Sequence, residues 1–342
     1  MVPKPNLDFL RAFAVTTVVL DHTLLAKGVL HLGSWEVGWI GVFGVYLFFV
    51  HTCLVLMWSL SRRPYTSEFY LRRAFRIYPL SILAVLAAIL LRAPVAGGAG
   101  SWFTTPTYSI AKILANLLLV QNLFSHGAGD IIGVLWSLPL EVQMYILLPP
   151  LFFYVREENK LWPLLVGWTL SVLTARALIP VSSGNNFIAV IPDFLPGVIA
   201  YVGFKKWDPR LPAWTFVAFL LALLIFFMRD PNARKGWPVC LVLGLSLPLF
   251  RQLSLSWITQ PCHEIAKYSY GIYLSHPFCI ALGIYAFRSH SLAIQLIVEL
   301  VTIAIVSVAA YHLVEYPMVR AGSRIATRLE MRSEKVLEGI SA

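Results

Sequence analysis

The chain has 342 residues, of which 58% are hydrophobic and only 13% charged, with a mean hydropathy of +0.73. Soluble domains carry about 25% charged residues, so a water-soluble fold is excluded. The 21 Gly and 21 Pro show no period, and 46 aromatic residues supply more apolar surface than a disordered chain tolerates, which leaves an all-α polytopic transmembrane bundle. The net charge of +10 then points to loops facing anionic lipid, with a lipid bilayer and not a nucleic acid as the partner.

A transmembrane helix needs about 20 mainly apolar residues. Apolar windows near 8 to 26, 38 to 60, 77 to 92, 138 to 155, 162 to 180, 187 to 203, 212 to 228, 237 to 251, 269 to 287 and 292 to 314 give about ten spans. The first is interrupted by Asp8, Arg11, Asp21 and His22 and lacks an Ala-x-Ala site, so it reads as a retained span and not as a signal peptide. An eleventh window, 109 to 124, contains Lys112, Asn116, Gln121 and Asn122. If it does not cross, about 19 of the 27 basic residues fall on one side; if it does, about 12. The expectation is therefore ten spans in a multi-pass inner (plasma) membrane protein, both termini cytoplasmic, with 109 to 124 interfacial or re-entrant. Residues 1–317 form the membrane domain. In the basic tail, 318–342, Arg320, Arg324, Arg328 and Arg332 share a helical face suited to anionic headgroups. Four scattered cysteines suggest neither a disulfide nor a metal site.

An ionisable group in hydrocarbon costs at least about 2.5–3.5 kcal/mol, so each must be paired, solvated or used. On the first span, Arg11 and His22 are eleven residues apart, about three turns plus 20°, which places both on one stripe about 16 Å apart. A desolvated imidazole can serve as a general base; a buried histidine bonded to a carbonyl is the alternative. Before the third span, Arg73 and Arg76 share a face at i and i+3 and could grip phosphates bidentately, although a positive flank would look the same. Glu141 enters an apolar run just after Pro139 and reads equally as a structural or a catalytic carboxylate. His276 precedes Pro277, whose missing N–H leaves a carbonyl one turn earlier without its helical donor, which suits a structural histidine. Glu315, beside the basic tail, suits a structural ion pair.

These residues fall into ordered motifs. Leu7-Asp8-x-Leu10-Arg11-Ala12 with His22, Phe48-Phe49-Val50, Arg72-Arg73-x-x-Arg76-Ile77-x-Pro79, Trp136-Ser137-Leu138-x-x-Glu141, Tyr270-Gly271-x-Tyr273-Leu274-x-His276 and Glu315-x-Pro317 together resemble acyltransferase family 3, the integral-membrane O-acyltransferases of bacterial surface glycans and related acceptors. The resemblance runs from about residue 7 to 320. It implies acyl-CoA, most simply acetyl-CoA, as co-substrate and a carbohydrate or glycan-like acceptor. It also implies a catalytic His22 with Arg11, donor contacts from Arg73 and Arg76, and a functional Glu141 of open role. Asp8, His51 and His276 are additional candidates. One departure is His51-Thr52-Cys53-Leu54, where the family commonly has Leu-Ser-Gly-Phe; His51 is either a second titrating group or a packing solution. The rival reading is a transporter of a lipid-linked glycan or small solute with an intramembrane proton relay, and a sensor that has lost its chemistry is a third.

Overall fold

The computed structural model describes residues 4–91, 108–124, 129–156, 160–178, 186–230 and 235–341. They form helices throughout, apart from one antiparallel ribbon of two-residue strands, β1 (His31–Leu32) and β2 (Trp35–Glu36). The helices are α1 (Pro5–Ala26), α2 (Gly38–Arg62), α3 (Thr66–Leu91), α4 (Ile110–Leu117), α5 (Ser137–Val155), α6 (Leu161–Leu178), α7 (Phe187–Lys206), α8 (Thr215–Arg229), α9 (Trp237–Ser246), α10 (Ser256–Ile280), α11 (Leu292–Ala310) and α12 (Tyr316–Ser341). The all-helical, multi-span expectation is borne out: among the described residues, seven helical stretches are long and apolar enough to cross a membrane, and α8 and α9 are shorter apolar helices. The ribbon was not foreseen, since four strand residues leave no alternating run to read.

Segment 109–124 behaves as its polar residues suggest. Its helix α4 has 8 residues, about 12 Å of rise, and stops where Leu119 adopts φ 55°. Asn116 is fully buried and spends its amide on the carbonyls of Lys112 and Gly129 while accepting from the Ile131 N–H. Nearby, Asp130 accepts from Gln121 Nε2 at 3.0 Å; burial pushes its carboxyl up to about 6, opposed by that hydrogen bond and by Lys112.

Bilayer helices associate through close packing and hydrogen bonds, because lipid tails are as apolar as the helix surfaces. Here α2 is the central rod, contacting α1 on one side and α7 on another. Two glycines permit the approach. A Cβ at Gly44 would lie 2.5 Å from the Ala14 carbonyl oxygen of α1, and one at Gly197 of α7 would lie 2.3 Å from the Val50 oxygen of α2. α10 packs on α1 and α11, which closes the bundle around the site.

α11 passes through a π turn, Tyr311–Glu315, directly into α12. Residue 317, the expected end of the membrane domain, therefore lies inside a continuous helical rod. α12 packs on α3, with Gly322 against Phe75 and Ala326 buried, while Arg320, Arg324 and Arg328 stay exposed. The side chain of Arg332, the fourth member of that basic series, lies outside the described residues.

Candidate active site

Five helices converge on one cavity of about 120 Å³. Arg11 enters from α1, His51 and Thr52 from α2, Arg73 and Arg76 from α3, Glu141 and Tyr145 from α5, and Tyr270 and Tyr273 from α10 as a further wall. Thus the arginines separated by more than 60 residues in sequence face one space, and the i, i+3 relation of Arg73 and Arg76 turns both toward it. The neighbouring Arg72 is excluded: it pairs with Glu68 at i−4, and Glu68 also takes Arg63 Nη1 at 2.8 Å. That buried carboxylate separates the arginine cluster into a structural member and two that face the cavity.

Each cavity cation has a carboxylate in its surroundings. Glu141 accepts a short hydrogen bond from Tyr145, one turn on, which aims its carboxylate among the cavity walls it shares with Arg11 and Arg73. Arg76 pairs with Glu315, which is 1% exposed and sits on the π turn. The ion pair expected for Glu315 therefore reaches α3 and not the tail. Arg76 also lies 5.5 Å from the Tyr270 ring, and Tyr270 is itself fixed by donating to the Ile77 carbonyl at 2.7 Å. Three guanidiniums against two carboxylates leave the site electropositive, and the Nε atoms of Arg11 and Arg73 are buried with no hydrogen-bond partner among the described residues. A cavity of that sign attracts an anion.

His22 lies farther along α1, against α10, and does not line this cavity. Its Nδ1 is 2.6 Å from His276 Nε2, the two rings lie edge to edge with planes 18° apart and centroids 4.9 Å apart, and its Nε2 is 3.7 Å from Asp21 Oδ2. Its side chain keeps 14% exposure. His276 does bond close to its proline, with Nδ1 3.1 Å from the Ile272 oxygen, as a structural histidine would, but it also engages His22. Tyr273 stands between cavity and histidines: its ring lies 6.1 Å from His276 and 6.2 Å from Phe48, and its hydroxyl donates to the Val134 carbonyl and meets Ser137 Oγ at 2.8 Å.

The remaining candidates separate. His51 is 7% exposed and belongs to the cavity wall. Asp8 sits at the rim, its Oδ2 2.8 Å from His263 Nδ1 of α10, away from the cavity. Tyr145 and Glu68 were not singled out from the sequence, and Tyr270 stood there only as part of a motif with no role. The 141/145 and 68/72 pairs were recoverable from i, i+4 spacing, whereas nothing local joins Arg76 to Glu315. Among the described residues no group of His, Cys, Asp and Glu could hold a metal ion.

The family model described as an acyltransferase domain matches residues 4–313. Nodulation protein 10 of Rhizobium leguminosarum bv. viciae is 29% identical over 48% of this chain and 48% of its own length. A protein of Acidianus two-tailed virus named as an acetyltransferase, ORF330, is 23% identical over 80% of this chain and 82% of its own. Acyltransferase MdmB of Streptomyces mycarofaciens is 26% identical over 79% and 68%. The chain thus spans about half of the first of these relatives. No solved structure matches the chain at a significant level.

Proposed function

Because the chain belongs to this acyltransferase family, matched over residues 4–313, we propose that it is a membrane O-acyltransferase that moves an acyl group, acetyl in the simplest case, from cytoplasmic acyl-CoA to a hydroxyl of a carbohydrate or glycan-like acceptor. The observation that carries the reading is the convergence of Arg11, Arg73 and Arg76 on one electropositive cavity. Guanidinium forks match phosphate oxygens bidentately, so Arg73 and Arg76 hold the donor phosphates at the cavity mouth. Glu141, oriented by Tyr145, keeps the cations from collapsing onto a single counter-ion. Arg11 faces the same space and opposes negative charge that develops as the thioester is attacked.

His22 is the base that takes the proton of the acceptor hydroxyl. Since it lies beyond Tyr273, the acyl end of the donor has to pass that ring, while phosphates and adenine stay behind. This division suits a donor from one face of the membrane and an acceptor from the other, with both termini and the α12 arginines on the donor side.

The test is transfer of label from [14C]acetyl-CoA to a polysaccharide acceptor by protein in lipid nanodiscs, comparing wild type with His22→Ala and with Arg73→Ala/Arg76→Ala. Loss of transfer in both at unchanged folding is the expected result. Acceptor movement across vesicle membranes without acylation, surviving His22→Ala, would overturn the reading in favour of the transporter.

A further inference from the structure

The hydrogen-bond chain behind His22 has only one arrangement of protons when both rings are neutral. The Ile272 carbonyl can only accept, so His276 Nδ1, 3.1 Å away, carries the hydrogen. The same ring meets the carbonyl of Tyr273, which Pro277 deprives of its helical donor. A neutral imidazole protonated at Nδ1 has its lone pair on Nε2. The contact of 2.6 Å between His276 Nε2 and His22 Nδ1 therefore takes its hydrogen from His22. His22, neutral and protonated at Nδ1, carries its own lone pair on Nε2, which lies 3.7 Å from Asp21 Oδ2.

We infer that His276 is a positioning residue that holds His22 in the Nδ1–H tautomer, making Nε2 of His22 the atom that takes the acceptor's proton. The inference rests on the acyl-transfer reading for its chemistry but not for its geometry. The logic is that of a base oriented by a second group, with an imidazole and a backbone carbonyl in the place often taken by a carboxylate. In the step, the acceptor O–H bond breaks toward Nε2, and the acceptor oxygen bonds to the thioester carbonyl carbon. The C–S bond then breaks, and the departing thiolate of CoA takes the proton back from Nε2. While His22 is charged, its Nδ1–H bond to His276 becomes charge-assisted, and Asp21 Oδ2 at 3.7 Å faces the new Nε2–H.

Other ionisable side chains around the ring leave this assignment in place. On α1 the neighbour is Asp21, which is buried under Gly41; on α11 it is Glu299, 1% exposed, which is engaged by Thr23 Oγ1 at 2.5 Å. His22 Nδ1 is committed to α10 through His276.

Full-length protein labelled with [15N]histidine tests the inference, the His22 signals being identified by their loss in His22→Ala. In wild type at neutral pH, His22 is expected to show a protonated Nδ1 and a pyridine-like Nε2. His276→Phe should release it to the Nε2–H tautomer, whereas His276→Gln, whose amide oxygen can accept, should retain Nδ1–H. Thiol release from acetyl-CoA should follow the tautomer: down on the order of 10²-fold in kcat with unchanged KM for His276→Phe, and largely restored by His276→Gln. Wild-type His22 protonated at Nε2 overturns the inference whatever the activity. Absence of thiol release by wild type with His22 in the Nδ1–H tautomer instead overturns the acyl-transfer reading, and full thiol release by His22→Ala overturns its assignment of the base.

Discussion

Replacing Glu315 with glutamine should weaken the empty protein and strengthen its grip on the donor. Glu315 is 1% exposed and pairs with Arg76 from the π turn that joins α11 to α12. Breaking a fully buried pair costs about 3–5 kcal/mol; Arg76 keeps 22% of its side chain open, so water in the cavity reduces the loss to about 2 kcal/mol. The donor experiences the opposite effect. A phosphate seated on the far edge of Arg76 lies about 7 Å from the carboxylate, and at an effective dielectric of 20 each phosphate charge is repelled by about 2 kcal/mol. Removing that repulsion is worth roughly tenfold to thirtyfold in affinity. Calorimetric titration with CoA measures the affinity, and thermal unfolding with and without CoA measures the stability. Glu315→Gln should melt earlier when empty and be stabilised more by CoA than wild type is, through the linkage of binding to folding. A variant that binds CoA no tighter than wild type would refute the assignment of Arg76 to the donor.

Three further outcomes follow from particular contacts. Arg72→Ala should lower stability without raising KM for the donor, because Arg72 is spent on Glu68, whereas Arg73→Ala should raise KM; steady-state thiol release and thermal unfolding separate the two. Gly197→Val should prevent assembly of the bundle, since even a Cβ there meets the Val50 oxygen at 2.3 Å, and loss of monodisperse protein on size exclusion would report it. The carboxyl of Asp130 is raised from 3.8 to about 6, so its contribution to stability is fully present below pH 4 and is lost as pH rises through 6. Its size is at most about 3 kcal/mol, and Asp130→Asn should flatten the dependence of unfolding on pH across that window. An unchanged slope would show that burial does not hold that proton.

The helical, multi-span character was legible because twenty-residue apolar windows follow from bilayer thickness, whereas the ten windows read from the sequence correspond to seven helical stretches long and apolar enough to cross among the described residues; the polar set Lys112, Asn116, Gln121 and Asn122 falls on a segment whose described helix has only 8 residues. The facing of Arg73 and Arg76 followed from helical spacing alone. What spacing could not reveal was how helices distant in sequence share charges: Glu315 crosses to Arg76, and His276 crosses to His22 over 254 residues. Neither is a local relation, so each side chain taken by itself looked structural. The split among Arg72, Arg73 and Arg76 was partly readable, since Glu68 precedes Arg72 by four, but only the packing shows Glu68 buried and committed. The stripe read on α1 does not bring its two ends into one space: Arg11 lines the cavity, whereas His22 meets His276 of α10, and Tyr273 touches both the cavity and that histidine.

The most direct measurement is a single-turnover reaction with [14C]acetyl-CoA that records bound donor and transferred label separately. His22→Ala should bind the donor as wild type does and transfer nothing, whereas Arg73→Ala/Arg76→Ala should fail at binding. Transfer by the His22 variant at the wild-type rate, or undiminished binding by the double arginine variant, would contradict the account.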